Sequence, residues 1–170
     1  MPITPATPVL TTIIRFIEFI GIPVVFDTIS EKTFVPGILI NKGRLVIDEN
    51  QLLYPGDLLH EAGHMAVSIP DERKIMYGDA GVSEKSKSDG EEMMAIAWSY
   101  AACVYLNIDP AIVFHPAGYK GSSAWYIEQY TSGNLLYIPL LQWAGLCYDA
   151  TNAQKNGVKP FPEMIKWLRD

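Results

Sequence analysis

The chain has 170 residues, 49% of them hydrophobic and 19% charged, which suits one folded domain over residues 1–170 and argues against a disordered chain. Its net charge of −6 argues against nucleic acid or an anionic membrane surface as the main partner.

Pro8 to Ile20 sets Ile13, Phe16, Ile17 and Ile20 at helical spacing, with Thr11, Thr12, Arg15 and Glu18 mostly off that stripe. This predicts an amphipathic helix facing a core, ended by Gly21 as a C-cap. Ile22 to Asp27 is short, apolar and β-branched and reads as a strand. Phe34 to Ile40 and Arg44 to Asp48 read as two more, joined by hairpin chemistry at Asn41-Lys42-Gly43.

Pro55 and Asp57 open the next helix, with Pro near the first turn and Asp as cap or first-turn acid. Its apolar run, Leu58 to Ile69, contains His60-Glu61-Ala62-Gly63-His64. Helical residues four apart share a face, with Cβ atoms roughly 5–6 Å apart, so His60 and His64 can grip one metal ion. Glu61 lies about 100° further round the helix, beside such an ion, where a metal-bound water would sit. Zinc takes imidazole nitrogen and keeps a position open for water in catalytic sites. It brings that water's pKa towards ~7, and a neighbouring carboxylate can then take the proton. The chain has three histidines, and two of them are here. Two blander readings stand beside this one: a buried helix with two chance histidines, and a metal site without catalysis. Gly63 costs about 1 kcal/mol against Ala inside a helix, which suggests that another backbone comes close on that face. Pro70 marks the helix end.

Asp71 to Gly90 is the most polar segment and reads as a solvated loop, or as a mobile rim over the metal cleft. Ile75, Met76, Tyr77 and Val82 are expected to tether its first part and to leave Ser83 to Asp89 mobile. Glu91 to Leu106 is apolar nearly all round and predicts a central helix, with Glu91 and Glu92 in its first turn. Acids favour helix N-termini for electrostatic reasons alone. A zinc site built on His60 and His64 nevertheless needs a third protein ligand, and Glu91, Glu92 and His115 are the candidates. Pro110, Pro116 and Gly118 break regular structure around His115, which can also be a group supporting the metal ligands from behind, an oxyanion donor at the cleft or an ordinary loop-edge histidine. Ser122 to Tyr130 looks helical, Thr131 to Asn134 turns, and Pro162 to Leu168 reads as a short closing helix.

Cys103 and Cys147 lack metal or redox spacing and read as buried thiols in a cytosolic protein. No signal peptide or membrane span is recognisable, so a cytoplasmic location is expected.

The order of helix, small sheet, H-E-x-x-H helix and acidic-start helix resembles the ImmA/IrrE-type metallopeptidases, a gluzincin-like group. The similar residues are Gly21-Ile22-Pro23-Val24, Gly43-Arg44-Leu45-Val46-Ile47 and Leu58-Leu59-His60-Glu61-Ala62-Gly63-His64, within about residues 10 to 105. Glu92-Met93-Met94-Ala95-Ile96-Ala97, beginning 28 residues after His64, looks like the counterpart of the family's acidic ligand segment, with Met93-Met94 where Ala-Asn is usual. The resemblance implies Zn2+ held by His60, His64 and Glu92, with Glu61 as the catalytic base. Adjacent helical residues point about 100° apart, so Glu91 and Glu92 cannot face one ion equally. His115 is then expected near the cleft without binding metal.

The expectations are an α+β, zincin-like fold, with a small N-terminal sheet packed on a helical core that carries the H-E-x-x-H helix. The function expected is zinc-dependent peptide-bond hydrolysis through a zinc-activated water, acting on a peptide or protein substrate. The alternative is a catalytically silent zinc-binding regulatory or interaction module.

Overall fold

The structure is a computed structural model and describes residues 7–78 and 89–170. Among these the chain is mixed α+β, with a four-stranded sheet and seven α-helices.

Helix α1 (Pro8–Phe19) starts where Thr7 turns its hydroxyl back to accept from the Leu10 amide, with Pro8 at a position that needs no donor. It buries Leu10, Ile13, Phe16 and Ile17. Ile20, the last member of the predicted stripe, is only partly buried.

The sheet runs β1-β3-β2-β4, formed by β1 (Val24–Phe26), β2 (Ile38–Asn41), β3 (Arg44–Ile47) and β4 (Tyr77–Gly78). β1 lies parallel to β3, and β2 runs antiparallel to both of its neighbours. The predicted hairpin is present. Lys42 and Gly43 both take positive φ (49° and 82°), as a two-residue turn matched to strand twist requires. The strands are shorter than their apolar runs, and β3 ends at Ile47, just before Asp48. Its buried carboxylate accepts from the amides of Ile29 and Asn50, both at 3.0 Å, and from Gln51 Nε2 at 2.7 Å. The chain turns there and heads for the next helix.

That helix is α2 (Asp57–Val67), and it packs along α4 (Asp89–Leu106). All residues from Met94 to Cys103 are buried, which makes α4 the central helix that its all-round apolar sequence predicts. At Gly63 the two helices lie close together. A Cβ there would stand 3.1 Å from the Ala95 carbonyl oxygen and 3.2 Å from the Trp98 ring. The close backbone approach expected at Gly63 is therefore present, and it brings the first turn of α4 towards the histidines of α2.

Three expectations change. Asp71 to Gly78 is not loop: Pro70–Ile75 forms α3, and β4 follows. Pro70 opens α3, Asp71 and Glu72 fill its first turn, and Arg73 and Lys74 its last, an arrangement that suits the helix dipole. Of the expected tethers, Met76 is partly buried, whereas Ile75 and Tyr77 are exposed. Val82 and most of Ser83 to Asp89 lie outside the described residues, and Asp89 itself begins α4.

The predicted closing helix at Pro162 to Leu168 is absent. The Ile165 amide donates to Leu146, Arg169 donates to Ala66, and the Trp167 carbonyl accepts from Trp98 Nε1. Backbone groups committed to distant segments cannot close helical turns. The segment 150–156, which carried no helix expectation, forms α7 (Ala150–Asn156), with Asp149 as N-cap and Gly157 in the left-handed conformation at its end. Before it come α5 (Ser123–Thr131) and α6 (Ile138–Trp143), and a single large buried cluster runs from Leu10 to Cys147. Among the described residues no helix is long and apolar enough to cross a membrane.

Candidate metal centre

His60 and His64 lie one turn apart on α2 and turn their Nε2 atoms to one point, 3.1 Å from each other. The rings meet edge to face at 86°. Glu92, in the first turn of α4, closes the group from the opposite helix. Its Oε2 is 2.9 Å from His64 Nε2, and its Oε1 is 3.4 Å from His60 Nε2. These separations can be compared with a metal's needs. Three ligand atoms at ~2.0–2.1 Å from one tetrahedral zinc stand about 3.3–3.4 Å apart. The donor atoms need to move by only tenths of an ångström to share one ion.

Two acids flank the histidines. His60, Glu61 and His64 form a group whose donor atoms all lie within 4.8 Å of one another. Glu92 brings its two oxygens to the two Nε2 atoms, so His60, His64 and Glu92 make a second possible donor set beside His60, Glu61 and His64. Glu61 is a buried neighbour on the helix that carries the histidines.

Exposure runs in one direction across the site. His64 is 2% exposed, His60 16% and Glu92 48%, so the group is walled at His64 and open at Glu92. Electrostatics hold the carboxylate ionised. Burial opposes its charge, but hydrogen bonds and attraction from His60 and His64 outweigh this and keep Glu92 well below the usual carboxylate range. Burial likewise opposes a charge on His60, yet Glu92, then Glu61 and Asp57, lift its pKa above the ordinary imidazole value. The pocket favours positive charge at the point where the three side chains meet.

The loop after α4 supplies a second ring of contacts. Tyr119 places its hydroxyl 3.2 Å from His60 Nδ1, the imidazole atom turned away from Glu92. Burial, then the nearby charges of Glu92 and Asp57, push the Tyr119 phenol well above its ordinary pKa, so it stays protonated. Tyr119 and Lys120 both adopt left-handed backbone (φ 54° and 51°), which costs on the order of 1 kcal/mol or more for each non-glycine residue.

His115 holds the start of this loop. Its Nε2 meets Asp57 Oδ1 at 2.9 Å, and Tyr54 stacks on its ring with centroids 3.8 Å apart. Since Asp57 lies one turn before His60 on α2, His115 is near the cleft and makes no contact with the metal-facing atoms. Its oxyanion role finds no support: Nε2 is committed to Asp57, and Nδ1 is buried with no hydrogen-bond partner. Asp57, read in the sequence only as a helix-start acid, therefore also anchors a loop. Tyr119 carries no local sequence signal for its place here.

Cys103 and Cys147 are both free and buried, and burial raises each thiol to about 12, far from reactive thiolate chemistry. Compared with known protein families, with curated proteins and with solved structures, the chain found no match.

Proposed function

We propose that this chain is a zincin-like, zinc-dependent metallopeptidase of the cytoplasm, acting on a peptide or protein substrate. One observation carries the reading: two Nε2 atoms on one helix and a carboxylate on another converge at spacings a single zinc ion fits. It is supported by the resemblance of the H-E-x-x-H helix and Glu92 segment to the ImmA/IrrE-type enzymes. Zinc held there would supply Lewis acidity, polarising a substrate carbonyl and a water.

The protein's own groups do the rest. His60, His64 and Glu92 would hold the ion, and the group is exposed at Glu92 and sealed at His64. Glu61 is 2% exposed beside them. Its donor atom lies within 4.8 Å of those of His60 and His64, the reach that proton exchange with a water at the site requires. Glu61 takes the water's proton and later gives it to the departing amine.

Glu61→Gln tests the assignment. Peptide hydrolysis by the zinc-loaded protein should fall by at least 10²-fold, the scale of general-base contributions, while zinc content stays at one ion per chain. Unchanged hydrolysis would remove Glu61 from the role of general base, and no hydrolysis by the wild-type protein across a peptide library would point to the silent zinc-binding module.

A further inference from the structure

Resting on the metal reading, we infer that Tyr119 is a positioning residue for His60, and that the Asp57–His115 contact delivers it. The contacts form a closed path. Asp57 and His60 lie on adjacent turns of α2. Asp57 holds His115 Nε2 at 2.9 Å. His115 carries a tight turn in which the Gly118 amide donates to the His115 carbonyl at 3.0 Å. Ser123 fastens that turn to α5, its hydroxyl donating to the same carbonyl at 2.7 Å. A Cβ on Gly118 would stand 3.3 Å from the His115 ring, so the turn packs against the imidazole with little room to spare. The next residue is Tyr119, and its hydroxyl returns to His60 Nδ1 at 3.2 Å.

Chemistry fixes what this last contact does. A neutral imidazole has one proton for two nitrogens. If Nε2 is to give its lone pair to a metal, the proton must sit on Nδ1. There it needs an acceptor, because the His60 side chain is only 16% exposed to water. The Tyr119 oxygen is that acceptor. An outer partner of this kind fixes the tautomer and the ring's orientation. The two left-handed residues at Tyr119 and Lys120 are what this placement demands of the backbone. Ring contacts with Phe114 and Tyr126, at 5.1 and 5.5 Å between centroids, hold the phenol where the backbone puts it.

Tyr119→Phe keeps the ring and removes only the acceptor. Zinc affinity, measured by competition with a chromophoric chelator, should fall roughly 10–100-fold, the usual cost of losing such a partner. Tyr126→Phe, which packs on the same ring, should bind zinc as the wild type does. Proton NMR gives a readout that packing alone would not move. Zinc-loaded wild type should show a slowly exchanging Nδ1–H signal from His60, and Tyr119→Phe should lose it or exchange it much faster. Equal zinc affinity in wild type and Tyr119→Phe overturns the inference. So does a His60 signal that exchanges freely in the wild type, a result that stands even if Tyr119→Phe fails to fold. A wild-type chain that takes up no zinc overturns the metal reading, and this inference with it.

Discussion

Gly63 and Ala95 meet with almost no room for a side chain: a Cβ on Gly63 would lie 3.1 Å from the Ala95 carbonyl oxygen. That approach seats α2 against α4 closely enough for Glu92 to reach both imidazoles. Gly63→Ala gains about 1 kcal/mol of helix propensity. The Ala95 carbonyl belongs to a helix, and the Trp98 ring beside it is fully buried, so neither gives way easily. Overpacking costs typically 1–3 kcal/mol and should win. Urea denaturation of Gly63→Ala should show lower stability, by about 1 kcal/mol net. A variant more stable than wild type would mean that the interface relaxes freely.

Glu92→Gln removes the charge and one good ligand but keeps the shape. Zinc affinity should drop by more than the ~10–100-fold typical of losing an outer-shell partner. Saturating zinc should raise the melting temperature of the wild type and a chelator should reverse it. At a hundredfold excess over the dissociation constant the gain is about 2.7 kcal/mol. Glu92→Gln should show a much smaller shift at the same zinc concentration. Equal shifts in both proteins would remove Glu92 from the ligand set.

Asp48 gives the fold a pH dependence of its own. The Ile29 amide, then Gln51 and Asn50 against the opposing effect of burial, hold its carboxyl below the ordinary value of 3.8. A depressed folded-state pKa contributes stability that is complete above the unfolded value and disappears as pH falls through the folded one. The loss should therefore begin near pH 3.8 and deepen below it. At neutral pH Asp48→Ala should cost about 1–3 kcal/mol, since three donors lose a buried acceptor. The stability gap between wild type and variant should narrow below about pH 4. A gap that stays constant down to about pH 2 would show that the charge on Asp48 plays no part.

Arg73 ties the end of α2 to the C-terminal segment. Its Nε donates to the Met65 carbonyl at 2.7 Å, and its Nη2 donates to Ser68 and Arg169 at 2.8 and 2.7 Å. Replacing it with Met removes charge-assisted bonds worth about 1.5–3 kcal/mol apiece at most, partly recovered by water. Hydrogen exchange should speed up at the Arg169 amide, which donates to Ala66 at 2.8 Å. Unchanged protection there would show that the segment is held by its apolar contacts alone.

What could be read in the sequence follows from how local each cause is. The hairpin at Lys42-Gly43 and the spacing of His60 and His64 are set within a few residues, so pattern alone finds them. Helix α4 is readable because it is apolar on every side. Helix α3 was also written locally, with Pro70, then acids, then Arg73 and Lys74, but the polar composition that follows disguises it. Helix α7 had both signals, Asp149 before it and Gly157 after. Pro162 to Leu168 misleads because its backbone bonds go to Leu146 and Ala66, which no local pattern encodes. The same limit hides Tyr119. Its position depends on two left-handed residues and on a contact between Asp57 and His115, 58 residues apart.

The central claim is that His60, His64 and Glu92 hold one zinc ion, and anomalous diffraction at the zinc edge from crystals of the zinc-loaded protein tests it most directly. A single strong peak is predicted, ~2.0–2.2 Å from Nε2 of His60, Nε2 of His64 and one oxygen of Glu92. No peak between those three side chains, or a peak ligated by Glu61, Glu91 or His115 with Glu92 remote, would contradict it.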